Sequence, residues 1–353
     1  MKALYLGWLG AHNVGDDIMF ENFKRVINEQ SNEEWEVTPL FPSEEENNFA
    51  KYDLVCIGGG SILLEGYIGV LYRALEQGKK VMVWGAGYDD LIGEDFISRI
   101  EKSNIPPYIY SDACEEKLNH LAKKVVFWGV RGPLTYRILE KSNIDINKVV
   151  ISGDPGLLLK KDVLQEKGTN LNFIKADRVV AINFGTSFNK IYGGKEELVE
   201  EALIGTCKKL LNDGYKIYLY PMWPADLDSI LSMYKKLPKT DNIILDIVVH
   251  SGGELASILS NCVFSINFKL HGNVISAVAK IPFICLGYRL KAYDFMKSIE
   301  CEELNIPTDA QNMQQEIEKR IEIIQRNEKQ IIEKIERNIN KYIKILESAF
   351  RHQ

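Results

Sequence analysis

Two α/β domains built on parallel sheets are predicted by three features of this 353-residue chain. Short β-branched apolar runs alternate with amphipathic segments along most of its length. A polar stretch with no sustained apolar period, 160–177 (KKDVLQEKGTNLNFIKAD), divides that alternation into two sets. The last forty residues carry a helical apolar period that neither Pro nor Gly interrupts after Pro307.

The first set of apolar runs is Ala3–Leu6, Asp53–Ile57, Lys80–Trp84, Val125–Trp128 and Val149–Ile151. The second is Val179–Asn183, Lys216–Tyr220, Ile243–Ile247, Cys262–Ile266 and Phe283–Leu286. Runs of this kind read as strands buried on both faces. Asp16–Glu29 places Met19, Phe23, Val26 and Ile27 on one helical face. Lys195–Leu211, Ala225–Lys236, Gly253–Leu259 and His271–Lys280 are the later helical segments. Repeated βα units imply parallel sheets with right-handed crossovers. The expected architecture is two Rossmann-like halves, 1–165 and 170–310, with a cleft between them. Ligands in such folds sit at the carboxyl ends of the strands. Residues 311–353 form a long amphipathic helix with Met313, Ile317, Ile321, Ile324, Ile331, Ile335, Ile339, Tyr342 and Leu346 on its stripe. A polar heptad position at Glu328 sets packing against the chain's own domains beside a coiled-coil homodimer as its use.

Hydrophobic residues make up 46% of the chain and charged residues 26%, which excludes a disordered or collagen-like polymer. The net charge of −6 argues against nucleic-acid binding, which needs clustered positive charge. The six cysteines are scattered and form no CxxC, as expected of buried thiols in a reducing cytoplasm. No metal site is expected. The apolar run at 3–11 leads straight into the polar NVGDD and has one basic residue before it, so it is not read as a signal peptide. No stretch reaches the ~18 apolar residues of a membrane span.

Five loops at predicted strand ends carry candidate chemistry. The turn Gly7–Asp17 fits neither GxGxxG nor GxxxxGK[ST], yet its glycines and the following helix start suit an anion. Asp16 and Asp17 are candidate N-caps, and His12, Asn13 and Gly15 stand in the turn itself. Gly58-Gly59-Gly60-Ser61 presents backbone N–H groups behind a buried strand, as oxygen-rich ligands require. Trp84-Gly85-Ala86-Gly87 repeats the pattern. Arg131 precedes Pro133, a first-turn proline, and is either an anion ligand or a surface ion pair. Asp154 in Ser152–Gly156 lies in an Asp-Pro turn.

The fifth loop pair is Asn267–Asn273 and Leu286–Lys291. His271 opens a helix behind a buried strand, Lys269 stands two residues before it, and Tyr288, Arg289 and Lys291 follow the next strand. Cations and a titratable imidazole on one sheet edge make an anion-binding, proton-transferring site.

In this order, Asn13-x-Gly-Asp, Gly58-Gly-Gly-Ser61, Val130-Arg131-x-Pro, Gly153-Asp154-Pro155, Leu270-His271, Ala277-x4-Pro282 and Tyr288-x-x-Lys291 resemble the polysaccharide pyruvyl transferase family. The match covers roughly residues 3–300. The resemblance implies a GT-B-like pair of Rossmann-like domains with an interdomain cleft. It implies transfer of the enolpyruvyl group of phosphoenolpyruvate, as co-substrate, onto a sugar of a cell-surface polysaccharide or its precursor. His271 would be the general acid/base. Tyr288, Lys291, Arg289, Lys269 and Asn183 would bind the donor from the C-terminal domain. His12, Asn13, Gly15, Asp16, Gly59, Gly60, Ser61, Arg131 and Asp154 would line the acceptor side. Two positions depart from the family pattern: Lys269 and Asn183 stand where arginines are usual. The acceptor would be a sugar, a nucleotide sugar or a lipid-linked glycan, met in the cytoplasm or at the inner face of the cell membrane.

Two other readings fit the same residues. One is a GT-B-type glycosyltransferase using a sugar nucleotide, with Glu254 on the ribose. The other is a binding or scaffold subunit that has lost the donor site and engages a partner through residues 313–350.

Overall fold

The computed structural model describes residues 1–42, 44–90, 109–162, 171–174 and 178–351. The expected linker at 160–177, and the expected boundaries at 165 and 170, fall largely outside these. The chain forms two compact units. The first comprises Met1–His12, Asp16–Leu158 and Asn340–Gln353; the second comprises Asn13–Gly15 and Leu159–Ile339.

The first unit holds a six-stranded sheet in the order β2-β1-β3-β4-β5-β6. Its strands are β1 (Lys2–Leu6), β2 (Glu36–Leu40), β3 (Leu54–Ile57), β4 (Lys80–Ala86), β5 (Phe127–Val130) and β6 (Val149–Ile151), all paired in parallel. The second unit repeats the design in the order β12-β11-β10-β7-β8-β9. Its strands are β7 (Val179–Asn183), β8 (Lys216–Tyr220), β9 (Ile243–Leu245), β10 (Phe264–Asn267), β11 (Phe283–Gly287) and β12 (Asn305–Pro307). These pairings are parallel too. The α/β class and the ten expected strands are therefore present. The two further strands, β2 and β12, lie at sheet edges. Both contain proline, which edge strands tolerate, and β2 is only half-buried, so neither shows an apolar run.

Helices cross between the strands. They are α1 (Val14–Gln30), α2 (Glu65–Glu76), α3 (Asp112–Lys124), α4 (Pro133–Lys141) and a single turn, α5 (Leu171–Ile174). In the second unit α6 (Glu196–Asn212), α7 (Leu227–Lys235), α8 (Gly252–Leu259), α9 (Leu270–Ala279) and α10 (Leu290–Ser298) follow. Local chemistry sets their starts. Ser111 caps α3 by accepting from the Cys114 amide, and Pro133 occupies the first turn of α4 as expected. Helix α1 starts two residues earlier than expected. Asn13, not Asp16 or Asp17, is its cap, with Oδ1 accepting from the Gly15 amide at 3.0 Å. The two aspartates lie inside the first turn, where the helix dipole favours them.

In each sheet the opening strand has its successor on one side and a later strand on the other. β1 lies between β2 and β3, and β7 between β8 and β10. These are the topological switch points, where the loops diverge and leave room for a ligand.

The final helix, α11 (Met313–Ser348), contributes Met313–Ile339 to the second unit and its remaining turns to the first. It is not one unbroken helix: Asn327 takes non-helical torsions (φ −128°, ψ 18°). The reason lies in the stripe. Between Ile324 and Ile331 no apolar residue falls on the inner face, and residues 325–330 are all exposed. Every expected stripe residue from Met313 to Leu346 is buried within the chain. The stripe is therefore occupied within the chain. In the second unit, Arg337 pairs with Glu300 at 2.5 Å and Gln325 donates to the Tyr215 hydroxyl at 3.1 Å. In the first unit, Phe350 joins Phe23 and Trp84 with ring centroids 5.4–5.6 Å apart, and the Trp84 indole donates to the Leu346 carbonyl at 3.1 Å. Among the described residues no helix is long and apolar enough to cross a membrane.

Phe350 is fully buried in the first core, so Phe350→Ala is expected to cost about 3–5 kcal/mol. Equilibrium urea unfolding should show this with a midpoint that does not depend on protein concentration. A midpoint within experimental error of the native chain's would mean that the helix end is not a core element.

Candidate functional site

Strands β10 and β11 are adjacent and parallel, so the helices that follow them start on the same sheet edge. His271 is the second residue of α9. Arg289 is the N-cap of α10 and Lys291 its second residue. All three are partly buried. Two helix N-termini, an imidazole and two cations on one edge favour an anion there. Tyr288 plays a different part. It is 3% exposed, stacked on Phe268 at 4.7 Å, and carries the Lys291 ammonium 5.2 Å above its ring. It is a packed platform that positions Lys291.

Asn13–Gly15 belongs to the second unit, and Gly15 lies against His271. A Cβ on Gly15 would stand 1.8 Å from the imidazole Nδ1, so only glycine permits the ring's position. Asn13 caps α1 and so orients the Gly15 backbone that the imidazole meets.

Asn183 and Lys269 are not turned outward. Asn183 is fully buried; its Nδ2 donates to the Tyr220 carbonyl at 3.0 Å and its Oδ1 accepts the Lys269 amide at 2.9 Å. It bridges β7, β8 and the entry to α9, with both ends of its amide in use. The Lys269 ammonium pairs with Asp226 at 3.1 Å and donates to the Thr186 carbonyl. Asp226 is fully buried and also accepts the Thr186 and Met222 amides at 3.1 and 3.2 Å. Burial raises its carboxyl above the usual range, against the lowering effect of Lys269 and the two amides. A Cβ on Gly185 would stand 2.0 Å from Asp226 Oδ1. Lys269 therefore neutralises a buried carboxylate. Asp226 was invisible in the sequence because it lies 43 residues away in a loop with no motif.

In the first unit the structure brings Ser61, Arg131 and Asp154 together. Arg131 donates to Ser61 Oγ at 3.1 Å and lies 3.9 Å from Asp154, and both charged side chains are buried. Arg131 is thus neither a surface ion pair nor an exposed anion ligand; it ties together the loops that leave β3, β5 and β6. A Cβ on Gly87 would stand 2.4 Å from its guanidinium. Gly59 is wedged between Met19 and Pro155, and Gly60 takes φ +103°. His12 adopts φ +53° in the first turn.

Glu254, the candidate ribose ligand, closes a capping box with Ser251 at the start of α8. It also lies 3.7 Å from His250 Nδ1. His250 Nε2 meets Asp246 Oδ2 at 2.7 Å, and the Tyr218 hydroxyl donates to the same oxygen at 2.7 Å. The hydrogen bond to Asp246 lifts the His250 imidazole above its ordinary value. Burial pushes Asp246 upward, but the bonds from His250, Tyr218 and the Val248 amide outweigh it and hold the carboxyl low. The four-residue step Asp246–His250–Glu254 was the signal missed in the sequence.

Two predictions follow from these networks. Lys269→Ala leaves Asp226 buried and uncompensated, for an expected loss of about 3–5 kcal/mol in urea unfolding, and a Lys269→Met/Asp226→Leu pair should recover most of it. A single-variant loss below about 0.5 kcal/mol would free Lys269 from a structural role. For His250 the folded pKa is the higher, so its stabilisation is complete below about pH 6 and is lost as pH rises through the folded value. The stability difference between the native chain and His250→Gln should shrink with rising pH; a constant difference would contradict the pairing.

Comparison with known proteins places these features. A sequence model described as polysaccharide pyruvyl transferase matches residues 13–289. The chain is 22% identical over 286 residues to the amylovoran biosynthesis protein AmsJ of Erwinia amylovora, covering 75% of this chain. It spans 64% of that relative's length. A putative UDP-N-acetylglucosamine 2-epimerase from Listeria monocytogenes aligns over 100% of this chain and 97% of its own, with TM-score 0.62 and 11% identity. Anabaena Alr3699/HepE, solved with UDP-glucose, aligns over 99% and 98%, with TM-score 0.56 and 10% identity. These structures share the fold. The sequence match, which includes the Asn13–Gly15 turn and His271, shows that the chain belongs to the polysaccharide pyruvyl transferase family.

Proposed function

We propose that the protein transfers the enolpyruvyl group of phosphoenolpyruvate to two hydroxyls of a glycan sugar, forming a pyruvate ketal. The observation that carries this reading is His271 at the start of α9, set against the Gly15 backbone, with Arg289 and Lys291 at the start of the neighbouring α10. Phosphoenolpyruvate is a compact trianion with a basic methylene carbon. Arg289, Lys291 and the N-terminal amides of α9 and α10 supply the positive field for its phosphate and carboxylate.

The protonated His271 donates to the methylene carbon, whose π electrons take the proton. The adjacent carbon becomes an oxocarbenium-like centre, and a sugar hydroxyl adds to it, returning its proton to His271. The C–O bond to phosphate then breaks with its electron pair. A second hydroxyl closes the ring and its proton leaves with phosphate. The products are the ketal and inorganic phosphate. Membership in the family and the naming of AmsJ for amylovoran biosynthesis support a polysaccharide precursor as acceptor, carried as a nucleotide sugar or a lipid-linked glycan.

Ligand-induced thermal stabilisation tests the donor. At ~100 Kd phosphoenolpyruvate should stabilise the native chain by about 2.7 kcal/mol. Lys291→Ala should abolish that shift, whereas His271→Gln should keep it and abolish phosphate release in the presence of acceptor. No stabilisation by phosphoenolpyruvate, together with a product lacking the mass of pyruvate less water, would overturn the proposal.

A further inference from the structure

The loop after β7 holds an aromatic side chain in a position that folding alone does not favour. Phe188 is 65% exposed and adopts φ +54°, and Asn189 beside it adopts φ +53°. Left-handed torsions cost a bulky residue of order 1–3 kcal/mol, and exposing a phenyl ring adds to that cost. The surroundings nevertheless enforce this conformation. The Glu196 carboxylate accepts the Ser187 and Asn189 amides and the Thr186 hydroxyl, and its own amide donates to Asn189 Oδ1 at 3.1 Å. The Phe188 amide donates to Thr186 Oγ1 at 2.9 Å. One glutamate thus over-determines a turn whose product is an outward phenyl ring.

That ring stands edge-on to Trp223, with centroids 5.9 Å apart and planes at 90°. The Lys269 ammonium lies 5.5 Å from the Trp223 centroid and bonds the Thr186 carbonyl at the base of the loop. The aromatic corner is therefore built on the same switch-point edge, β7 and β8 beside β10, that carries His271.

We infer that Phe188 and Trp223 form a stacking corner for a pyranose ring of the acceptor glycan. A flat base is held best between parallel faces. A chair pyranose is puckered, presents one C–H face to an electron-rich ring, and turns its rim of hydroxyls outward. A right-angled aromatic pair flanked by the exposed Asn189 and Lys190 matches that shape and polarity. The inference rests on a glycan acceptor, as proposed above, but not on the identity of the donor.

Nuclear magnetic resonance titrations can test it without phosphoenolpyruvate. The probes are methyl β-galactopyranoside, methyl β-glucopyranoside, methyl β-mannopyranoside and uridine monophosphate. At least one pyranoside should bind the native chain, with saturation transfer strongest to its ring C–H protons. Its Kd should rise about tenfold in Phe188→Ala and stay near native in Phe188→Tyr, with the unfolding midpoint unchanged. Stabilisation by phosphoenolpyruvate should be the same in Phe188→Ala as in the native chain, which separates this site from the donor site. Failure of every pyranoside to bind, equal affinity in Phe188→Ala, or a loss confined to uridine monophosphate would each overturn the inference. Loss of the phosphoenolpyruvate response with pyranoside stacking intact would overturn the donor reading alone.

Discussion

The carboxyl edge of the second sheet depends on one buried charge. Asp226 has no exposed surface and lies against Gly185 so closely that no side chain fits there. An uncompensated carboxylate in that place is unfavourable by several kcal/mol. Lys269 and two loop amides compensate it, and each of these bonds pulls a different loop onto the edge. The loops after β7, β8 and β10 are therefore locked together around Asp226. Because Lys269 is the N-cap residue of α9, the same ion pair fixes where that helix begins and so where His271 stands.

The polar core extends inward from that point. Asn183 ties the Lys269 amide to the Tyr220 carbonyl, and the Tyr220 hydroxyl donates to Asn267 at 2.8 Å. Asn267 in turn donates to Ser265, Asn273 and Ser276. Buried amides and hydroxyls are tolerated only when their bonds are made, so the network gives the switch point one arrangement rather than several. The first unit answers the same need differently. There a buried arginine gathers Ser61 and Asp154, and glycines let backbone close around it. In both units the first neighbours of the strand ends are structural. In the second unit His271, Arg289, Lys291 and the Phe188 loop lie one step further out on the same edge.

Much of this was legible in the sequence. Buried parallel strands need continuous apolar runs, so all but β2 and β12 could be read directly, and the loops after them were recognisable by glycine, proline and charge. The apolar stripe of α11 was equally plain, because its period is local. Partners were not legible. Lys269 and Asn183 looked like weakened anion ligands, because Asp226 and Tyr220, which occupy them, are far away in the chain. Arg131 looked evenly balanced between ligand and surface, and its burial arises from four loops that sequence does not align. Asn13 was placed in the turn, while its capping bond depends on where α1 begins.

The sequence by itself determined the repeating βα pattern, its division in two, the family and the order of the motifs, since each rests on spacing along the chain. Tertiary structure decided which motif residues are used up inside. Hydrogen bonds and ion pairs act over a few ångströms in space, and strand order alone brings Asn183, Asp226 and Lys269 within that range. It also decided that the Phe188 ring stands outward, because Glu196, together with Thr186 and Asn189 of the loop, holds the backbone in a conformation that phenylalanine does not favour.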